Sequence, residues 1–198
     1  MEDEKKGLTE DRAVRADARR NLESLLQAAK TVFAESGVDA PVRGIAERAG
    51  VGLGTMYRHF PRRADLIAAV FRRELDACAD LAPILAAEHR PGEALEKWVD
   101  RYLDFIATKR GLATALHSGD PAYDALPAYF EEKLVPAFRP LLESAAASGE
   151  IRPGVSAEEI LYAIASLCAY GDRQGPEYPR RMVALLLNGL RFGAVTTE

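Results

Sequence analysis

Residues 37–66 read Gly37-Val-Asp-Ala-Pro-Val-Arg-Gly-Ile-Ala-Glu-Arg-Ala-Gly-Val-Gly-Leu-Gly-Thr-Met-Tyr-Arg-His-Phe-Pro-Arg-Arg-Ala-Asp-Leu66. The apolar residues recur at helical spacing, not in alternation. The spacing predicts one short helix from Val42 to Ala49, with Pro41 tolerated in a first turn because its missing N–H would have no partner there. Gly50 ends it. A second short helix is predicted from Leu53 to His59, and the Phe60-Pro61 step stops it, because α geometry is disfavoured before proline. Ile45, Ala46, Ala49, Val51, Met56 and Phe60 supply an apolar side that locks the two helices together, and Gly50 permits the sharp turn between them. The opposite side is polar and basic.

Working outward, Leu22, Leu25, Leu26, Ala29, Val32 and Phe33 recur at spacings of three and four, which predicts an amphipathic helix over 17–36 ended by Gly37. Downstream, Leu66, Ile67, Val70, Phe71, Leu75, Cys78 and Ala79 predict a long helix from Arg63 to Ala82, limited by Pro83. Further helices are expected at 92–107, at 109–117, at 128–148 with kinks at Pro136 and Pro140, at 156–170 behind the capping box Ser156-Ala-Glu-Glu159, and at 179–193. No strand pattern competes. The chain is read as all-α: a three-helix head joined by a long helix to a C-terminal helical domain. The expected division is a flexible arm at 1–16, a helix-turn-helix domain at 17–63, and a C-terminal helical domain at 64–198.

Charge separates these parts. Residues 12–63 hold ten Lys/Arg against five Asp/Glu, residues 1–11 two against five, and residues 64–198 fourteen against twenty. A basic segment joined to an acidic remainder suggests a surface for a polyanion. Arg12, Arg15, Arg19 and Arg20 could extend it as an arm tracking phosphate, although the acids of the first eleven residues favour a solvated tail. Cys78 and Cys168 both lie in apolar helical pattern, with no Cys-x-x-Cys pair or His/Cys cluster, so no metal site and no cofactor is expected. Without a glycine-rich phosphate loop, a nucleophile elbow or a clustered His/carboxylate pair, an enzyme is the less favoured reading. No apolar run reaches 18 residues and the opening residues are acidic, so the expected location is the cytoplasm.

The 37–66 stretch resembles the DNA-binding signature of the tetracycline-repressor (TetR) family, Ile-Ala-x-x-Ala-Gly-Val-Ser-x-Gly-Thr-Leu-Tyr-x-His-Phe followed by a basic residue and Leu. Ile45, Ala46, Ala49, Gly50, Val51, Gly54, Thr55, Tyr57, His59, Phe60 and Leu66 match it. Gly52 departs from it, standing where a capping Ser or Thr is usual, and Arg63 replaces a Lys. The resemblance implies a recognition helix that presents Leu53, Gly54, Thr55 and Arg58 to a DNA major groove. It further implies phosphate contacts from Thr55, Tyr57, His59 and Arg63, and a base or phosphate contact from Arg43.

Beyond residue 80 the resemblance thins. Trp98, Tyr102, Phe105, Tyr123 and Phe130 are either core or the lining of a cavity whose polar tips would be Tyr102, His117, Tyr123, Ser166 and Tyr170. By resemblance, a cavity would serve a small apolar or aromatic effector that releases the protein from a palindromic DNA operator, and it would do so in a ligand-binding and dimerisation domain at 64–198; a filled core would leave an effector-independent regulator. The last two helices carry Ile160, Leu161, Ile164, Ala165, Leu167 and Cys168, then Val183, Leu185, Leu186, Leu187, Leu190 and Phe192, too apolar around their circumference for a surface pair. By resemblance these would pair across a two-fold axis in a homodimer.

Overall fold

The computed structural model describes the backbone of residues 2–169, 175 and 177–192, and their side chains except those of 2–16, 109–111, 113–114, 169 and 192. It is all helical, with no strand among the described residues: α1 (Glu2–Ser36), α2 (Val42–Ala49), α3 (Leu53–His59), α4 (Arg63–Glu88), α5 (Pro91–Gly111), α6 (Ala113–Leu116), a 3-10 turn (Pro121–Tyr123), α7 (Leu126–Ala147), α8 (Ala157–Ala169) and α9 (Tyr178–Phe192). None of the described helices is long and apolar enough to cross a membrane.

Helices α2 and α3 span the residues their spacing predicts. Three elements differ. Helix α1 begins at Glu2 and not at 17; residues 2–16 contain no proline and one glycine, and Glu2, Asp3 and Glu4 put negative charge at the positive end of the helix dipole. Helix α4 runs through Pro83 to Glu88. A proline removes one hydrogen bond from a helix interior, and here it is solvent-exposed while Ala82 and Leu85 on either side are buried. Helix α5 continues to Gly111, which shortens the helix expected at 109–117 to Ala113–Leu116. Helix α7 carries both Pro136 and Pro140 within one span.

The chain forms two compact units. The first contains residues up to Arg73 together with Gly111–Asp124, and the second contains Glu74–Arg110 and the residues from Ala125 on. In the first, α1 packs on α2 and α2 on α3. Leu25, Leu26, Ala29 and Phe33 of α1 are buried, as are Ile45 and Ala46 of α2 and Leu66, Ile67, Val70 and Phe71 of α4. Polar ties fix the helix register: Arg48 donates twice to Glu35 (2.6 and 3.1 Å), and Arg73 donates from Nε to Glu23 (2.9 Å) and from Nη2 to Gln27 Oε1 (2.9 Å).

In the second unit α7 packs on α8 and α8 on α9. Its centre is a run of rings: Trp98 stacks on Phe138 (4.8 Å between centroids) and on Tyr102 (5.7 Å), and Tyr102 on Phe105 (6.1 Å). The polar tips are satisfied, with Trp98 Nε1 donating to the Cys78 carbonyl (2.9 Å) and the Tyr102 hydroxyl to the Leu161 carbonyl (3.2 Å). Burial pushes the Cys78 thiol up to about 12 and raises the Tyr102 phenol further still. Both cysteines are free and buried. Arg180 pairs with Asp100 and Asp104, and Arg191 with Glu96, tying α9 to α5.

Candidate nucleic-acid interface

The turn between α2 and α3 is set by one backbone conformation. Gly50 sits at φ +69°, in the left-handed region. Its N–H reaches Glu47 O (3.1 Å) and the Val51 N–H reaches Ala46 O (3.0 Å), so the last carbonyls of α2 are met as the chain reverses. Gly52 then opens α3 in extended geometry, its carbonyl accepting from Thr55 N (2.9 Å) and Met56 N (3.1 Å). A glycine has no side chain to cap the helix, as its replacement of the usual hydroxyl residue leads one to expect.

Of the seven residues of α3 only Met56 is buried, and it is 1% exposed. With Ile45, Ala46 and Phe60 also buried, the helix is anchored through one side alone. Leu53 (39% exposed), Gly54, Tyr57 (49%) and Arg58 stand in solvent, while Thr55 and His59 are half-buried. Five large apolar residues are exposed among those described, and two of them, Leu53 and Tyr57, lie one turn apart on this short helix. The pair gives the open side of α3 an apolar character. At Gly54, on the same side, a Cβ would meet nothing within 4 Å, so the chain's own packing does not require glycine there.

The cations around α3 are used in three ways. Arg43 is exposed and only loosely held by Glu47, one turn along α2 at 3.5 Å. An exposed pair of this kind is worth about 0.3–0.5 kcal/mol, so Arg43 is weakly held. Arg58 is exposed on α3. Arg48 holds α2 to α1 through Glu35, and the hydrogen bond to that carboxylate raises its guanidinium above the ordinary value. Arg63, to which the resemblance gives a phosphate contact, is half-buried, and Nη1 donates to the carbonyls of Val38 and Ala40 (2.7 Å to the latter), clamping the turn that enters α2.

The residues assigned to an effector site fall into separate groups. Trp98, Tyr102 and Phe105 are fully buried and come together in the ring stack, with half-buried Phe130 at its edge, 6.2 Å from Tyr102. Tyr123 is buried and His117 exposed, and both belong to the first unit. Ser166 is exposed on α8, and Tyr170 lies outside the described residues. One aromatic outside the residues assigned to that site adjoins it: Tyr162, 48% exposed on α8, whose ring lies 6.2 Å from Phe130 and whose hydroxyl donates to Glu131. Spacing did not reveal Arg48–Glu35 or Arg73–Glu23, because residues 13 and 50 positions apart carry no local pattern.

Comparison with known proteins agrees with this geometry. The family model for bacterial regulatory proteins of the tetR family matches residues 25–70, and that for the C-terminal domain of SbtR-like transcriptional regulators matches residues 90–192. A TetR transcriptional regulator from Streptomyces coelicolor is 37% identical, with a TM-score of 0.69 over 86% of this chain and 98% of that one. A TetR transcription regulatory protein from Mycobacterium vanbaalenii is 33% identical, with a TM-score of 0.70 over 90% and 99%. An HTH-type transcriptional regulator of Staphylococcus aureus strain USA300 is 30% identical over 109 residues, 54% of this chain. The match spans 59% of that curated relative's length.

Proposed function

From the premise that this chain is a TetR-family transcription regulator with an N-terminal DNA-binding domain, we propose that it is a dimeric repressor that binds a palindromic operator and is released by a small apolar or aromatic effector. The observation that carries the DNA-reading part is the outer face of α3 and α2: Leu53, Gly54, Tyr57, Arg58 and Arg43 are all exposed over an anchored apolar side. Arg43 and Arg58 suit bidentate contact with guanine edges, and Thr55, Tyr57 and His59 suit phosphate oxygens. Residues 17–63 thus read DNA, and residues 64–198 sense and dimerise, with the work done in the cytoplasm.

Dimerisation is supported by what α8 and α9 leave uncovered. Leu185 is 62% exposed, and Ala165, Leu167, Leu186 and Leu187 are half-buried. A second copy related by a two-fold axis would cover them and double the DNA-reading helix, so the operator would be palindromic. An effector that favours one spacing of the two reading helices weakens operator binding by the factor by which operator weakens effector binding. Phe130 and Tyr162, at the exposed end of the ring run, are the residues best placed to meet such a molecule.

A second reading keeps the DNA-binding function without an effector. It is favoured by the complete burial of Trp98, Tyr102 and Phe105 and by their satisfied polar tips, which is how a filled core looks. Thermal melting with a panel of aromatic and acyl compounds separates the two: a stabilising compound that also releases DNA supports the effector.

The primary test is binding of the purified chain to DNA from around its own gene, measured against salt. Specific binding with a steep negative salt slope, weakened by Arg43→Ala and Tyr57→Phe, is the expected result. Equal binding to random DNA would count against operator recognition at that locus.

A further inference from the structure

Arg62 and Arg63 follow α3 side by side and are used in opposite ways. Arg63 is half-buried on two backbone carbonyls and could leave only by stranding them. The Arg62 side chain is 59% exposed and sits between two carboxylates. Asp65 accepts from its Nη2 (2.6 Å) and Nε (3.3 Å), whereas Asp120 faces Nη1 at 3.8 Å, beyond hydrogen-bonding range. Nη1 is therefore the edge of the guanidinium fork still able to take a close acceptor.

Both acids are held in place. Asp65 also accepts from the Arg62 backbone N–H (3.1 Å), closing the first turn of α4. Asp120 accepts from the Ala122 N–H (2.8 Å) at the head of the 3-10 turn, whose last residue, Tyr123, is buried. Asp120 lies in Gly111–Asp124, a stretch far along the chain that belongs to the same compact unit as α1–α3. Two fixed carboxylates against one cation leave a local excess of negative charge beside the helix that reads DNA. A phosphate approaching Arg62 meets the attraction of one group and the repulsion of two.

We infer that Arg62, rather than Arg63, extends the DNA-binding surface beyond α3 onto a backbone phosphate, and that Asp120 restrains it, so that Gly111–Asp124 sets how tightly the first unit holds DNA. The inference rests on the DNA-binding reading above. It assigns to Asp120 a specific job: weakening the protein's affinity for DNA by placing a negative charge opposite the side of Arg62 that phosphate needs.

The test is the DNA affinity of the full chain as a function of salt, with thermal melting alongside, for wild type, Arg62→Gln, Arg62→Lys, Asp120→Asn and Arg62→Gln/Asp120→Asn. Asparagine at 120 keeps an oxygen for the Ala122 N–H. Arg62→Gln makes the slope of log affinity against log salt shallower by about 0.9, one phosphate contact, and Arg62→Lys restores it. Asp120→Asn binds roughly two- to fivefold tighter at low salt, and the gain vanishes in the double variant. A normally melting Arg62→Gln with an unchanged slope overturns the inference, as does an Asp120→Asn gain that persists without Arg62. Wild type that shows no salt-dependent DNA binding overturns the DNA-binding reading itself.

Discussion

Helices α3 and α5 handle their large side chains in opposite ways. Of seven residues α3 buries only Met56, leaving Leu53 and Tyr57 in water. Helix α5 turns Trp98, Tyr102 and Phe105 fully inward and matches each polar tip to a carbonyl. A side chain with an internal use says little about partners, since packing alone explains it. Leu53 and Tyr57, one turn apart and largely unpacked on a well-anchored helix, add little to the core and leave surface for another molecule. Function is therefore legible in the first unit and concealed in the second.

The largest effect sharpens the concealed half. Trp98→Ala should cost about 3–5 kcal/mol, because it opens a cavity between Phe138 and Tyr102 and removes the indole's hydrogen bond to the Cys78 carbonyl; chemical denaturation checks it. A cost under about 1 kcal/mol would mean the ring run is loosely packed and closer to a ligand site. On the exposed side, Arg58→Ala should weaken operator binding by about 1–3 kcal/mol, the value of one bidentate base contact, with the melting temperature unchanged. A titration by fluorescence anisotropy reads the first and calorimetry the second. If Arg58→Ala lowers stability and spares binding, the contrast between the two helices fails.

Gly50→Ala tests the scaffold that presents α3. At φ +69° a side chain is strained by about 1–2 kcal/mol, although a Cβ would meet nothing within 4 Å, so the loss should be in stability and should arise from the backbone alone. The smallest effect is acid-linked. The Arg62 guanidinium, hydrogen-bonded to Asp65, holds that carboxyl below its ordinary value. A depressed folded value gives stability that is present above the unfolded value of about 4 and lost as pH falls through the folded one. Asp65→Asn, which keeps an acceptor for the Arg62 N–H, should lower stability slightly near neutrality and flatten its decline below about pH 4; urea unfolding at several pH values checks it.

Much of the fold was legible in the sequence because its signals are local. Gly50 and the Phe60-Pro61 step bound α2 and α3 through backbone restrictions that act within one or two residues. Pro83 misled for the reverse reason: its local cost is real, but burial of Ala82 and Leu85 carries α4 past it. The grouping of Gly111–Asp124 with the first unit, and with it the place of Tyr123 and His117, depends on contacts between distant residues and left no periodic trace. In the candidate site the residue types were readable and their directions were not. Arg62 and Arg63 are adjacent and alike, yet one clamps the Val38 and Ala40 carbonyls and the other faces solvent.

The central claim is that the exposed face of α2 and α3 reads a DNA sequence and that two copies of the chain present it together. The most direct measurement is selection of bound duplexes from a random library by the full-length protein. The account predicts enrichment of one inverted repeat whose half-sites lie about one helical turn, roughly 10 base pairs, or a multiple of it apart, and loss of that enrichment with Arg58→Ala. Recovery of unrelated sequences, or of an asymmetric site that Arg58→Ala leaves untouched, would contradict it.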